Sequence, residues 1–193
     1  MNVNKNFKWS NVLFLLIVAL LIIPQTRTPI QVAFQKVKMQ LPFFSASAFA
    51  KASQEQLTPF NYNLKNSNNE TESVAIGNGE VAFINYWATW CPPCIAEMPS
   101  IQALYNTYGD RINFLIITQE DPEVVDKFLA KKELKIPVFY PNMQRPELLV
   151  ERSIPTTFII DKSGKIIVKE LGAIDWNSSE VHIILDAALA ETD

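Results

Sequence analysis

The chain has little from which to build a metal centre or a disulfide framework: its 193 residues include two cysteines and one histidine. A tetrahedral zinc site takes four ligands, mostly Cys and His, so zinc would require a second copy of the chain. Attachment of a c-type haem needs His directly after a Cys-x-x-Cys pair, and Ile95 stands in that place. Basic residues are not in excess either. Lys and Arg number 17 against 20 Asp and Glu, for a net charge of −3 and a pI near 5.3, which argues against an obligate nucleic-acid binder. There is no internal repeat, and five glycines with twelve prolines do not make a low-complexity chain.

What is present falls into three stretches. Lys5 and Lys8 precede an uncharged apolar run from Val12 to Ile23, closed by Pro24. Alone the run is short for a spanning helix of about 20 residues; with Trp9, Ser10 and Asn11 it nears the lower limit. An uncleaved anchor is the favoured reading of residues 1–24. A cleaved signal lacks a small-x-small site after Pro24, and Ala48-Phe49-Ala50 lies too far downstream. A buried soluble helix would have no polar face. The basic residues before the run favour a cytoplasmic N-terminus and an exported remainder, so the expected location is the cell membrane with the domain on the periplasmic side. Residues 25–56, punctuated by Pro29 and Pro42, read as a tether.

From residue 57 to 193 the pattern alternates strand with helix. Phe60–Leu64 and Val74–Ile76 predict paired strands, and Val81–Trp87 a central strand buried on both faces. Ile95, Met98, Ile101, Tyr105 and Tyr108 share a helix face that ends at Gly109, with Pro99 inside it. Ile112–Thr118 is a further buried strand. Asp121-Pro122-Glu123 caps another helix. A short strand at Val138–Tyr140 and a short helix from Glu147 follow. Thr156–Ile160 and Lys165–Leu171 form a hairpin, and a last helix opens with Asn177 and Glu180 in capping-box spacing. The fold class is α/β with a mixed sheet.

Both cysteines lie in Trp90-Cys91-Pro92-Pro93-Cys94. A disulfide across so short a loop would constrain the unfolded chain little, which leaves redox exchange as the chemistry that uses the pair. A helix starting at or just after Cys91 lends its N-terminal partial charge to a thiolate there. Cys94, one turn in, faces the interior, and Pro92 and Pro93 suit a first helical turn.

Residues 81–99 (VAFINYWATWCPPCIAEMP) resemble the active-site segment of the thioredoxin superfamily, and within it the membrane-anchored TlpA/ResA-like thiol–disulfide oxidoreductases. The likeness extends to Ile154-Pro155-Thr156-Thr157-Phe158, which is similar to the cis-proline segment of that family. The resemblance implies a thioredoxin-like mixed sheet flanked by helices. It makes Cys91 the nucleophile and Cys94 the resolving thiol. Trp90, Pro92, Pro93, Ile154 and a cis Pro155 would line the groove for an extended substrate. The aspartate of thioredoxin six residues before the first cysteine is Asn85 here. Glu120 matches the acidic residue that the TlpA/ResA-like group uses instead, and a burial-raised pKa would suit it to a proton shuttle; a solvated loop glutamate is the alternative. Residues 121–140 resemble the insertion that distinguishes the group.

The expected activity is reduction of protein disulfides through the Cys91/Cys94 dithiol, with no cofactor beyond that pair and no metal. A membrane electron donor of thiol-transfer type is implied, and the resemblance suggests cytochrome c maturation among possible pathways. The alternatives are an oxidant of folding exported proteins and a non-catalytic thioredoxin-like peptide-binding module.

Overall fold

The structure, a computed structural model, describes residues 9–39, 55–150 and 152–191. Seven strands form one mixed sheet: β1 (Phe60–Lys65), β2 (Thr71–Ile76), β3 (Ala82–Tyr86), β4 (Asn113–Ile117), β5 (Val138–Pro141), β6 (Thr156–Ile160) and β7 (Ile166–Leu171), in the order β2-β1-β5-β4-β3-β6-β7. The apolar run around β3 is what puts it near the centre. All five of its residues are buried, and it pairs parallel with β4 and antiparallel with β6.

Side chains alternate across a strand, so β3 and its flanks feed two cores. Val81, Phe83 and Trp87 pack toward α3 (Pro92–Tyr108) and α5 (Ser179–Ala190), with Met98, Ile101, Trp176 and Leu185. Ala82, Ile84 and Tyr86 join Tyr62, Leu64, Ile76 and Phe158 on the other face. Asn85 follows Phe83 in the alternation, so a polar amide enters the layer beneath α3. The sequence 121–140 supplies α4 (Pro122–Lys132) and β5, which lies between β4 and β1, with Asp121 capping α4 through Glu123 N–H at 2.8 Å.

Two local readings change. Gly109 is right-handed (φ −56°), and the left-handed residue that ends a helix is Glu133 (φ 56°) after α4. The N-cap of α5 is Ser178, because Asn177 turns its side chain to the His182 ring at 3.0 Å. Pro99 lies inside α3, which continues to Tyr108, where the sequence placed it. Glycine is required where two loops meet: a Cβ on Gly77 (φ +71°) would lie 2.8 Å from the Cα of Gly164.

Ahead of the sheet, α1 (Trp9–Ile22) and α2 (Pro24–Met39) are consecutive helices. Helix α2 occupies the first part of the segment read as a tether and packs along α3; residues 40–54, the remainder of that segment, lie outside the described residues. Helix α1 has 14 residues, about 21 Å of helix against a hydrocarbon core of about 30 Å. Among the described residues no helix is long and apolar enough to cross a membrane. Lys5 and Lys8 lie outside the described residues.

Candidate active site

Strand β3 ends at Tyr86, and the turn that follows delivers Cys91 to the N-cap of α3 in an extended conformation (φ −89°, ψ 107°). Pro92 and Pro93 take the first two helical positions, where a fixed φ helps and a missing N–H breaks no helical bond. The backbone N–H of Cys94 points back at the Cys91 sulfur, 3.3 Å away. Cys91 and Cys94 are joined by a disulfide, and both are buried.

The carbonyl oxygen of Ile154 lies 3.7 Å from the Cys91 sulfur. The Ile154–Pro155 peptide is cis, as the sequence led us to expect. Trp90 is 66% exposed beside it. Between Trp90 and Ile154 opens a cleft of about 580 Å³, whose rim also carries Glu120, Arg145, Val150 and Arg152. Trp90, Cys91, Pro92, Pro93, Cys94, Ile154 and Pro155 therefore come together at one end of the central strands.

Glu120 lies on the cleft wall and is half-buried. Its carboxylate accepts hydrogen bonds from the Thr89 N–H at 2.5 Å and the Thr89 hydroxyl at 2.7 Å. It thus ties the loop after β4 to the turn that carries Cys91.

The acid buried in the dithiol layer is a different residue. Glu97 is one turn beyond Cys94 on α3 and fully buried. One carboxylate oxygen accepts from the Asn85 amide at 2.9 Å and the other from the Trp176 indole N–H at 2.9 Å. The same Asn85 amide nitrogen donates to the Thr157 hydroxyl at 2.7 Å. Burial pushes the Glu97 carboxyl up to about 8, and hydrogen bonds from Trp176, Asn85 and the Ile174 backbone hold it from rising further. Asn85 Oδ1 remains a buried acceptor with no partner among the described residues.

The sequence reading passed over Glu97, although a signal was available. Positions 94, 98 and 101 form the inward stripe of α3, and a glutamate at 97 sits within that stripe at i+3 from Cys94. An acidic residue inside an apolar helix face is the observation that finds it. Trp176, its second partner, comes from the loop before α5 and has no sequence signature.

Comparison with known proteins agrees with this geometry. The Redoxin family profile matches residues 36–187. The thiol-disulfide oxidoreductase ResA of Halalkalibacterium halodurans is 27% identical over 135 residues, covering 68% of this chain and 75% of that protein. Sporulation thiol-disulfide oxidoreductase A of Bacillus subtilis is 29% identical over 112 residues, covering 53% of this chain and 67% of that protein. Among solved structures, a thiol:disulfide interchange protein of the thioredoxin family from Chlorobium tepidum superposes with a TM-score of 0.55 at 25% identity, covering 70% of this chain and 100% of that one. The chain belongs to the Redoxin family and is a TlpA/ResA-like member of the thioredoxin superfamily.

Proposed function

We propose that the protein is a membrane-anchored thiol–disulfide reductase acting on protein disulfides outside the cytoplasm. With both sulfurs reduced, the Cys91 thiolate attacks a substrate disulfide, forms a Cys91–substrate bond and expels the first substrate thiolate. Cys94 then gives up its proton and attacks the Cys91 sulfur. The second substrate thiolate leaves, and the dithiol closes to the Cys91–Cys94 disulfide. Two electrons pass to the substrate, so each turnover needs a donor dithiol to reopen the pair.

The observation that carries the direction is the pair of prolines. A thiolate at a helix N-cap is stabilised by the N–H groups of the first turn, and Pro92 and Pro93 remove two of them. Only the Cys94 N–H reaches the sulfur among the described residues, and the site is buried, which further disfavours the charged thiolate. A less stabilised thiolate means a less stabilised reduced form and a more reducing couple.

Glu97 is the acid we assign to the proton leaving Cys94. Its raised pKa of about 8 is close to the pKa of about 8.5 of a free thiol, the match that general-base transfer requires. Glu120 is then a positioning residue, holding through Thr89 the turn that presents Trp90 and Cys91.

Membrane attachment rests on the uncharged run from Val12 to Ile23 after two lysines, with Leu13, Phe14, Leu15 and Leu16 all exposed on α1. A thiol-transferring membrane donor is the partner this location implies, and maturation of cytochrome c is a pathway consistent with it. Cys91→Ser should abolish reduction of insulin disulfides, while Cys94→Ser should accumulate a Cys91–substrate mixed disulfide on non-reducing gels. Insulin reduction that survives Cys91→Ser would remove the dithiol from the mechanism.

A further inference from the structure

The cleft beside the disulfide is electrostatically uneven on a chain whose net charge is negative. Arg145 lays its guanidinium over the Tyr86 ring, 3.8 Å from the centroid, which fixes a long side chain against a buried aromatic. Arg152 is exposed and stands two residues before Ile154, whose carbonyl faces the Cys91 sulfur. Among the described residues neither guanidinium has an ion-pair partner. Among the described residues the acidic group in the cleft lining is Glu120, which accepts from Thr89, so that lining carries two cations against one anion.

We propose that this cleft selects protein substrates whose reactive cysteine is flanked by acidic side chains, with Arg145 and Arg152 as the specificity-determining cations. The inference rests on the reductase reading above and adds the substrate chemistry to it. An extended segment that places its cysteine sulfur on Cys91 runs between Trp90 and Ile154, across a cleft of about 580 Å³ whose apolar lining also includes Trp87, Ala88, Ile117 and Val150. A carboxylate a few residues from that cysteine reaches the two guanidinium groups, whose planar donors match it bidentately. A lysine in the same place meets two like charges. Because the cations line an open cleft, the effect is felt mainly in encounter and is screened by salt.

The test is single-turnover reduction by the full-length reduced protein, followed by the fluorescence of the tryptophans beside the dithiol. The substrates are three peptides with one cysteine as a mixed disulfide to neutral mercaptoethanol, flanked by Asp, Asn or Lys. The Asp peptide should react roughly tenfold faster than the Lys peptide at low ionic strength, with the Asn peptide between, and the ratio should contract to about twofold in about 0.5 M salt. Arg152→Glu should collapse or invert the Asp-to-Lys ratio. That ratio is taken within one preparation, so it does not depend on how much of a variant is folded. Equal rates for the Asp and Lys peptides, with all three reduced, would overturn the acidic preference alone. Failure to reduce even the Asn peptide would overturn the reductase reading on which it rests.

Discussion

Replacing Glu97 with Gln isolates the buried acid. A folded carboxyl that keeps its proton to about pH 8, against an ordinary value of 4.5, means that the folded state binds one more proton than the unfolded chain between those values. The stabilisation from this group is full below pH 4.5 and is lost as the pH rises through about 8. At about 1.4 kcal/mol per pH unit the window amounts to roughly 4–5 kcal/mol at most, a large part of the ~5–15 kcal/mol that a domain has. In glutamine an NH2 donor replaces one of the two oxygens that accept from Asn85 and Trp176, so one of them loses its partner at a cost of about 1–3 kcal/mol. The two stability curves should therefore cross: wild type is the more stable at pH 5, Glu97→Gln at pH 9. Urea denaturation of the oxidised protein checks this, since neither cysteine titrates while the disulfide is closed. Burial of Glu170 also raises its pKa; it remains in both proteins, and its charge is the smallest of the influences on Glu97, so the difference between the curves is carried mainly by Glu97. Parallel curves from pH 5 to 9 would refute the assignment of a buried, protonated Glu97.

Thr89→Val removes the hydroxyl that donates to Glu120 and leaves that carboxylate with a single donor from the turn; it should cost about 1–2 kcal/mol in urea denaturation. Gly77→Ala puts a methyl 2.8 Å from the Gly164 Cα at a φ of +71°, so the midpoint of thermal unfolding should fall by several degrees, for a cost above about 1 kcal/mol. The full chain should sediment with lipid vesicles and resist alkaline extraction, and deletion of residues 1–24 should release it; equal partitioning of the two forms would contradict the anchor.

Much of this molecule was legible because its signals are local. The buried run at Val81–Trp87, the Asp121-Pro122 cap and the hairpin around Asp161-Lys162-Ser163-Gly164 each follow from patterns within a few residues. Cys91 at the N-cap, the two prolines in the first turn and the cis Pro155 follow from the motif and its resemblance. What was not legible depends on long-range partners. Glu97 has a raised pKa because the fold buries it, and its hydrogen-bond partners Asn85 and Trp176 are far apart in sequence. The resemblance to the TlpA/ResA-like group pointed to Glu120, whose carboxylate accepts from Thr89 in the fold. The helix at Pro24–Met39 was masked by two prolines, one at its first position and one in its second turn; Pro at a helix start is favourable, and packing along α3 supports the rest.

The most direct test of the central claim is the equilibrium potential of the Cys91–Cys94 couple, measured against glutathione or thioredoxin with mass spectrometry of the trapped thiols. The lone N–H at the Cys91 sulfur and the two prolines predict a value near that of thioredoxin, about −270 mV. A value near about −120 mV, that of a strong oxidant, would contradict the account and reverse the electron flow.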